Sequence, residues 1–205
     1  AGPADGTPAG PAAGEVAVQM GDGNRVAIAA YTYSSATGIV PLTRVFEWNT
    51  TDWNQMGNDL VVNGATQVSI SSNGTRVVLA GNGARTFDYN TTHWVQSGSA
   101  VSVARAVSLS SDGNRMAIAS STFENGIAEV YDWDESGSDW IQSALRIDGT
   151  SWGDKFGYSL AVSGGATTVA VGAPRVDQDY AADPEDNRGR VTAYEYAVKT
   201  TTTTV

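Results

Sequence analysis

Apolar and polar residues alternate in short runs along the chain, and one such pattern recurs four times. It reads GDGNRVAIAA from Gly21, SSNGTRVVLA from Ser71, SDGNRMAIAS from Ser111 and GGATTVAVGA from Gly164. A period of two places successive side chains on opposite faces of a β-strand. In the first three copies Asp22-Gly23, Asn73-Gly74 or Asp112-Gly113 separates two alternating segments. Such pairs favour the positive φ of a tight hairpin, so each copy reads as strand, two-residue turn, strand. Arg25, Arg76 and Arg115 open the second strand at a fixed offset from the turn, whereas the fourth copy has Thr168 there and no acidic turn residue.

A second phrase, aromatic-acid-aromatic, follows each hairpin: Phe46-Glu47-Trp48, Phe87-Asp88-Tyr89, Tyr131-Asp132-Trp133 and Tyr194-Glu195-Tyr196. In a strand both rings share one face and the carboxylate takes the other. The rings are expected to pack between neighbouring sheets with the acid in solvent; a carboxylate ring serving as a binding site is the rival reading. A third phrase, Trp53-Asn54-Gln55, Trp94-Val95-Gln96 and Trp140-Ile141-Gln142, supplies a fourth strand to the first three units. Its tryptophans lie 41 and 46 residues apart, the length of a propeller blade. The expected fold is therefore all-β, a β-propeller of four four-stranded units, the last incomplete. Four blades can close alone or form part of a larger ring or assembly, and the count leaves both open.

The ends differ in composition from this body. Residues 1–14 hold only Ala, Gly, Pro, Thr and Asp and read as a linker; residues 199–205 read as a threonine-rich tail; repeats fill residues 15–198. The chain has no cysteine and one histidine, which removes thiolate and multi-histidine metal sites. Twelve basic residues stand against 22 acidic ones, a net charge of −10 that disfavours nucleic acid as a partner. No apolar run approaches the roughly 20 residues of a membrane-spanning helix.

The fourth unit contains Gly153-Asp154-Lys155-Phe156-Gly157 and, later, Gly172-Ala173-Pro174. With the repeated hairpin and aromatic phrases, these words resemble the FG-GAP repeat, the blade unit of integrin α-subunit propellers. The tandem arrangement is similar to FG-GAP-type repeats in large secreted proteins of marine microbes and algae. The resemblance covers roughly residues 15 to 198 and implies a propeller. In that family a calcium loop rich in Asp and Asn sits between the two words. Here residues 163–168 carry no carboxylate, so the family's calcium role is not transferred to that loop.

One acidic insertion, between Pro174 and Gly189, holds Asp177, Asp179, Asp183, Glu185 and Asp186. It reads as a solvated rim loop; folded around a cation it would supply enough oxygens for calcium, though without EF-hand spacing. No other cofactor is implied. Asn49, Asn73 and Asn90 head N-x-[ST] sequons in turns and are candidate glycosylation sites, with chance and turn formation as rivals. His93 is expected to face solvent in a turn. No repeatable carboxylate pair marks a hydrolase. The expected function is non-catalytic: an extracellular, secreted structural or adhesive module, with self-association or neighbouring repeats of a longer chain as partners. A carbohydrate-binding propeller is the alternative, a glycoside hydrolase the third.

Overall fold

A computed structural model of the chain describes residues 17–20, 23–34, 38–65, 67–102, 104–122, 125–151, 153–176 and 189–196. The described residues are strands and turns, with no helix among them. The first sheet comprises β1 (Ala17–Met20), β2 (Arg25–Ser34), β3 (Gly38–Trp48) and β4 (Trp53–Gln55). The second holds β5 (Gln67–Ile70), β6 (Arg76–Ala80), β7 (Arg85–Tyr89) and β8 (Trp94–Ser97). The third holds β9 (Ala106–Leu109), β10 (Arg115–Ser120), β11 (Ile127–Asp134) and β12 (Asp139–Asp148). The last has β13 (Ser159–Val162), β14 (Thr168–Ala173) and β15 (Arg190–Glu195). Within each sheet, every strand pairs antiparallel with the next in sequence. The tryptophan phrases thus form fourth strands in three sheets, and the last sheet has three strands among the described residues.

First strands of consecutive sheets adjoin one another, β1 with β5, β5 with β9 and β9 with β13. Four sheets therefore radiate in order from a common centre, which is the β-propeller arrangement. Among the described residues, extensive contacts between sheets join consecutive blades and not the fourth to the first.

Alternation explains how one blade serves two neighbours. In β6, Val77 and Leu79 enter an apolar cluster with Ala27, Val45 and Met56 of the first blade. Val78 and Ala80 enter another with Val107, Met116 and Ile118 of the third. A third cluster joins Ala117, Ala119 and Val130 to Phe156, Val169 and Val171. Every residue of β10 is buried, and each fully buried aliphatic side chain contributes roughly 1.5–3 kcal/mol.

The hairpin turns differ from expectation in their length. Ser71 N–H bonds Arg76 O and Gly74 N–H bonds Ser71 O; Ser110, Arg115 and Gly113 repeat this. The connection thus spans four residues, and within it only the glycine takes positive φ, +66° at Gly74 and +75° at Gly113. Asn73 and Asp112 act through their side chains instead. Asn73 Oδ1 accepts from Ser71 Oγ at 2.8 Å and Thr75 N–H at 3.1 Å; Asp112 Oδ1 accepts from Ser110 Oγ and Asn114 N–H. The two-residue connection occurs elsewhere, at Thr50-Thr51 and Thr91-Thr92, where Asn49 N–H bonds Asp52 O and Asn90 N–H bonds His93 O.

Candidate functional site

The register sets each recurrent arginine across from the acid of the next strand: Arg25 with Glu47, Arg76 with Asp88 and Arg115 with Asp132. Directly opposed side chains lie close enough to pair. Arg76 Nε and Nη2 donate to the two Asp88 oxygens at 2.7 and 2.8 Å. Arg25 donates twice to Glu47 Oε1, at 2.9 and 2.7 Å, and Arg115 Nε donates to Asp132 at 2.6 Å. These carboxylates are therefore not simply in solvent, as alternation alone suggests; each is occupied by a guanidinium on its own face.

The remaining guanidinium nitrogen crosses to the next blade. Arg25 Nη1 donates to Asn73 O at 2.6 Å, Arg76 Nη1 to Gly113 O at 3.0 Å and Arg115 Nη1 to Ala166 O. Arg76 also lies 4.3 Å from the Trp133 ring centroid, and Arg115 lies 4.2 Å from that of Tyr196. A planar cation with several donors can satisfy a carboxylate, a carbonyl and an aromatic face together, which a lysine cannot. Blade n thus grips the turn of blade n+1.

The next blade returns the contact through tryptophan. Trp94 Nε1 donates to Met56 O and Trp140 Nε1 to Thr86 Oγ1, each at 2.8 Å. Each of these tryptophans also meets an aromatic across the strands, Tyr89 or Trp133. Near the centre, Ser69 Oγ accepts from Leu109 N–H and Ser108 Oγ from Val162 N–H. These serine links were not anticipated from the sequence; their signal is a serine at the same place in two first strands.

Electrostatics follow the same geometry. Burial pushes the Asp88 carboxyl up, but hydrogen bonds from Arg76 and Ser97 outweigh it and its pKa lies below the ordinary value. For Asp112, burial likewise opposes the bonds from Ser110 and Asn114, and the net shift is downward. In the third blade the buried Glu129 receives Tyr131 Oη, Gln142 Nε2 and Arg146 Nη1, so that acid too is occupied.

Asn49, Asn73 and Asn90 are all exposed. Their Oδ1 atoms cap turns: Asn49 accepts from Thr51 and Asp52 N–H, and Asn90 from Thr92 and His93 N–H. Asn90 Nδ2, the atom a glycan would modify, lies 3.2 Å from Nε2 of the exposed His93. The calcium candidates Asp177, Asp179, Asp183, Glu185 and Asp186 lie outside the described residues, as do the linker and the tail. Among the described residues no three His, Asp or Glu side chains are grouped to hold a metal ion. The two words in the fourth blade meet: Gly157 N–H bonds Gly172 O at 3.1 Å, and Phe156 fills the apolar cluster shared with the third blade. Gly157 has φ +79°, and a Cβ there would stand 2.7 Å from Ile127 O, so only glycine fits.

Neither the models of protein families nor the sequences of curated proteins match this chain. Many solved structures do. They include hydrazine synthase from Kuenenia stuttgartiensis, with TM-score 0.54 and 13% identity over 86% of this chain and 47% of that one. A candidate 6-phosphogluconolactonase from Bacteroides uniformis also gives TM-score 0.54, at 9% identity over 78% of this chain and 47% of that one. A protein of unknown function from Desulfotomaculum acetoxidans matches over 76% and 48%, with TM-score 0.54 and 13% identity. The chain thus spans about half the length of these structures, and identities this low carry the fold alone. The radial sheets and these likenesses together establish a β-propeller fold.

Proposed function

We propose that the chain is a non-catalytic FG-GAP-type propeller module, an extracellular structural or adhesive element used within a tandem array or fibre. The observation that carries this reading is where the recurrent charged groups go. Glu47, Asp88 and Asp132 hold Arg25, Arg76 and Arg115 within their own sheets, and each arginine reaches a turn carbonyl of the next blade. The bonded Phe156-Gly157 and Gly172-Ala173-Pro174 words support the FG-GAP assignment within the propeller fold. Native mass and light scattering on the protein from its source test the module: glycan mass is expected, with assembly into larger species where neighbouring repeats are present. Turnover in a broad glycoside-hydrolase screen, abolished by a single carboxylate substitution, would defeat it.

A second reading, carbohydrate binding, is favoured by one observation. Trp48 and Trp53 are 38% and 44% exposed, with ring centroids 5.5 Å apart, and such rings can stack on sugars. A glycan array probed with the unaltered chain and with Trp53→Ala separates the two readings.

A further inference from the structure

The same Trp48–Trp53 pair occupies, in the first blade, the position that Tyr89–Trp94 and Trp133–Trp140 occupy in the second and third. In those blades the pair lies against the preceding blade, and Trp94 and Trp140 are buried, at 4% and 7% exposure. In the first blade Trp48 and Trp53 face outward beside the half-buried Val26, Ile28 and Phe46. The turn beside them is equally open. A Cβ on Gly74 would overlap Arg25, and one on Gly113 would meet Arg76 Cδ at 3.3 Å. At Gly23, the corresponding glycine, none of the described heavy atoms comes within 4 Å. The first blade therefore carries the receiving half of a junction whose giving half appears at all three interior junctions.

The chain's own last blade is not built to give it. Thr168 stands at the register position of Arg25, Arg76 and Arg115, directly across from Glu195. Glu195 keeps the acid of the motif, with no ion pair among the described residues.

We infer that the outward face of the first blade, Gly23 with Trp48 and Trp53, is a docking site for a further blade of the same repeat type. That blade carries arginine where this chain's fourth blade has Thr168. Its guanidinium stacks on Trp48 and donates to the Gly23 turn, while its apolar face covers Val26, Ile28 and Phe46. The occupant is identified by continuity: at all three interior junctions an arginine of one blade donates to a turn carbonyl of the next, and at two of them it also lies over an aromatic ring of that blade. This inference rests on the module reading and deepens it by naming the partner's chemistry.

The test places the arginine in the chain itself. Thr168→Arg sets a guanidinium opposite Glu195, the geometry of Arg115 and Asp132, and so supplies a giving face for the first blade of another copy. Sedimentation velocity and acrylamide quenching of tryptophan fluorescence are measured on the unaltered chain, on Thr168→Arg, and on Thr168→Arg combined with Trp48→Ala. The unaltered chain is expected to be monomeric with readily quenched tryptophans. Thr168→Arg is expected to associate about 10- to 100-fold more tightly, or to close on itself, with reduced quenching in either case. Trp48→Ala is expected to reverse the gain. Because Trp48, Trp53 and Thr168 lie on outward faces, these variants are expected to fold, which circular dichroism checks. The inference is overturned if Thr168→Arg leaves both readouts unchanged. It is equally overturned if the unaltered chain already associates through these tryptophans without an arginine, or if a glycan protects them. Hydrolase turnover would defeat the module reading while leaving the junction measurement standing, so the two fail separately.

Discussion

The first and third blades have almost the same strand plan, yet their tryptophan pairs live in different environments. Trp133 and Trp140 lie beneath Arg76, and the Trp140 indole is fixed by Thr86. Trp48 and Trp53 stand at a similar centroid separation with nothing of that kind over them among the described residues. A repeat motif therefore fixes a local conformation, whereas the energetic weight of its tryptophan pair depends on whether a blade precedes it. The largest expected effect tests this directly. Trp140→Ala should cost about 3–5 kcal/mol in urea unfolding, because it opens a cavity and leaves Thr86 unpartnered. Trp53→Ala should stay within about 1 kcal/mol, the range of surface changes. Equal losses at the two positions would remove the contrast.

Glycine substitutions sharpen the same comparison at the turns. Gly74→Ala places a methyl group at φ +66° and into the Arg25 side chain, an expected loss of about 2–4 kcal/mol. Gly23→Ala meets only the conformational cost of φ +96°, about 1–2 kcal/mol. Thermal unfolding of the two variants reads the difference, and a cost at Gly23 matching that at Gly74 would mean that its turn is already covered.

The propeller itself was legible because it rests on periodicity. Alternation in the VAIA, VVLA and MAIA segments, the aromatic phrases and the tryptophan phrases each specify a strand and its faces, and these signals agree in every one of the first three blades. The junctions were not legible in the same way. Arg76 and Asp88 are twelve residues apart, and only the register shows that they oppose each other; that Arg76 also reaches Gly113 depends on how two sheets stack. Trp48 is exposed where its repeat position implies burial, because a repeat position reveals a ring's face but not whether a neighbour covers it. Thr168, the missing acidic turn residue and the absent tryptophan phrase are the visible signs in the sequence that the last blade differs.

Chemistry at a junction gives a smaller, pH-dependent effect. Arg76→Lys keeps the charge but loses the two-pronged bond to Asp88 and the flat contact on Trp133, an expected cost of about 1–3 kcal/mol. Arg44→Lys, in the exposed Arg44–Asp59 pair, should cost about 0–1 kcal/mol. Because the Asp88 pKa is lowered on folding, its contribution is fully present above the unfolded carboxylate value, about 4. It is lost as pH falls below that value through the lower folded one. Acid unfolding of Asp88→Asn should therefore show a flatter pH dependence there, beside reduced stability at neutral pH. An unchanged acid slope would place the electrostatic contribution elsewhere.

The smallest expected effect concerns turns remote from the junctions, where the blades should behave alike. Thr50 and Thr91 have φ of +84° and +77°, a conformation that costs a β-branched residue about 1–2 kcal/mol. Glycine removes that strain but adds unfolded-state entropy worth about 0.4–1 kcal/mol, leaving a net gain of about 0.5–1 kcal/mol. Thr91→Gly keeps the Asn90 sequon intact, since Thr92 is untouched, so glycan occupancy can be followed in the same variant. Both turns are exposed and capped by an asparagine Oδ1 in the same way, so Thr50→Gly and Thr91→Gly should raise the urea midpoint by similar amounts. Similar gains would confine the difference between the first blade and the interior ones to the outward face. A much larger gain at Thr50 would instead show that the whole first blade is loosely held, and the contrast drawn from its tryptophans would then reflect blade stability rather than a missing neighbour.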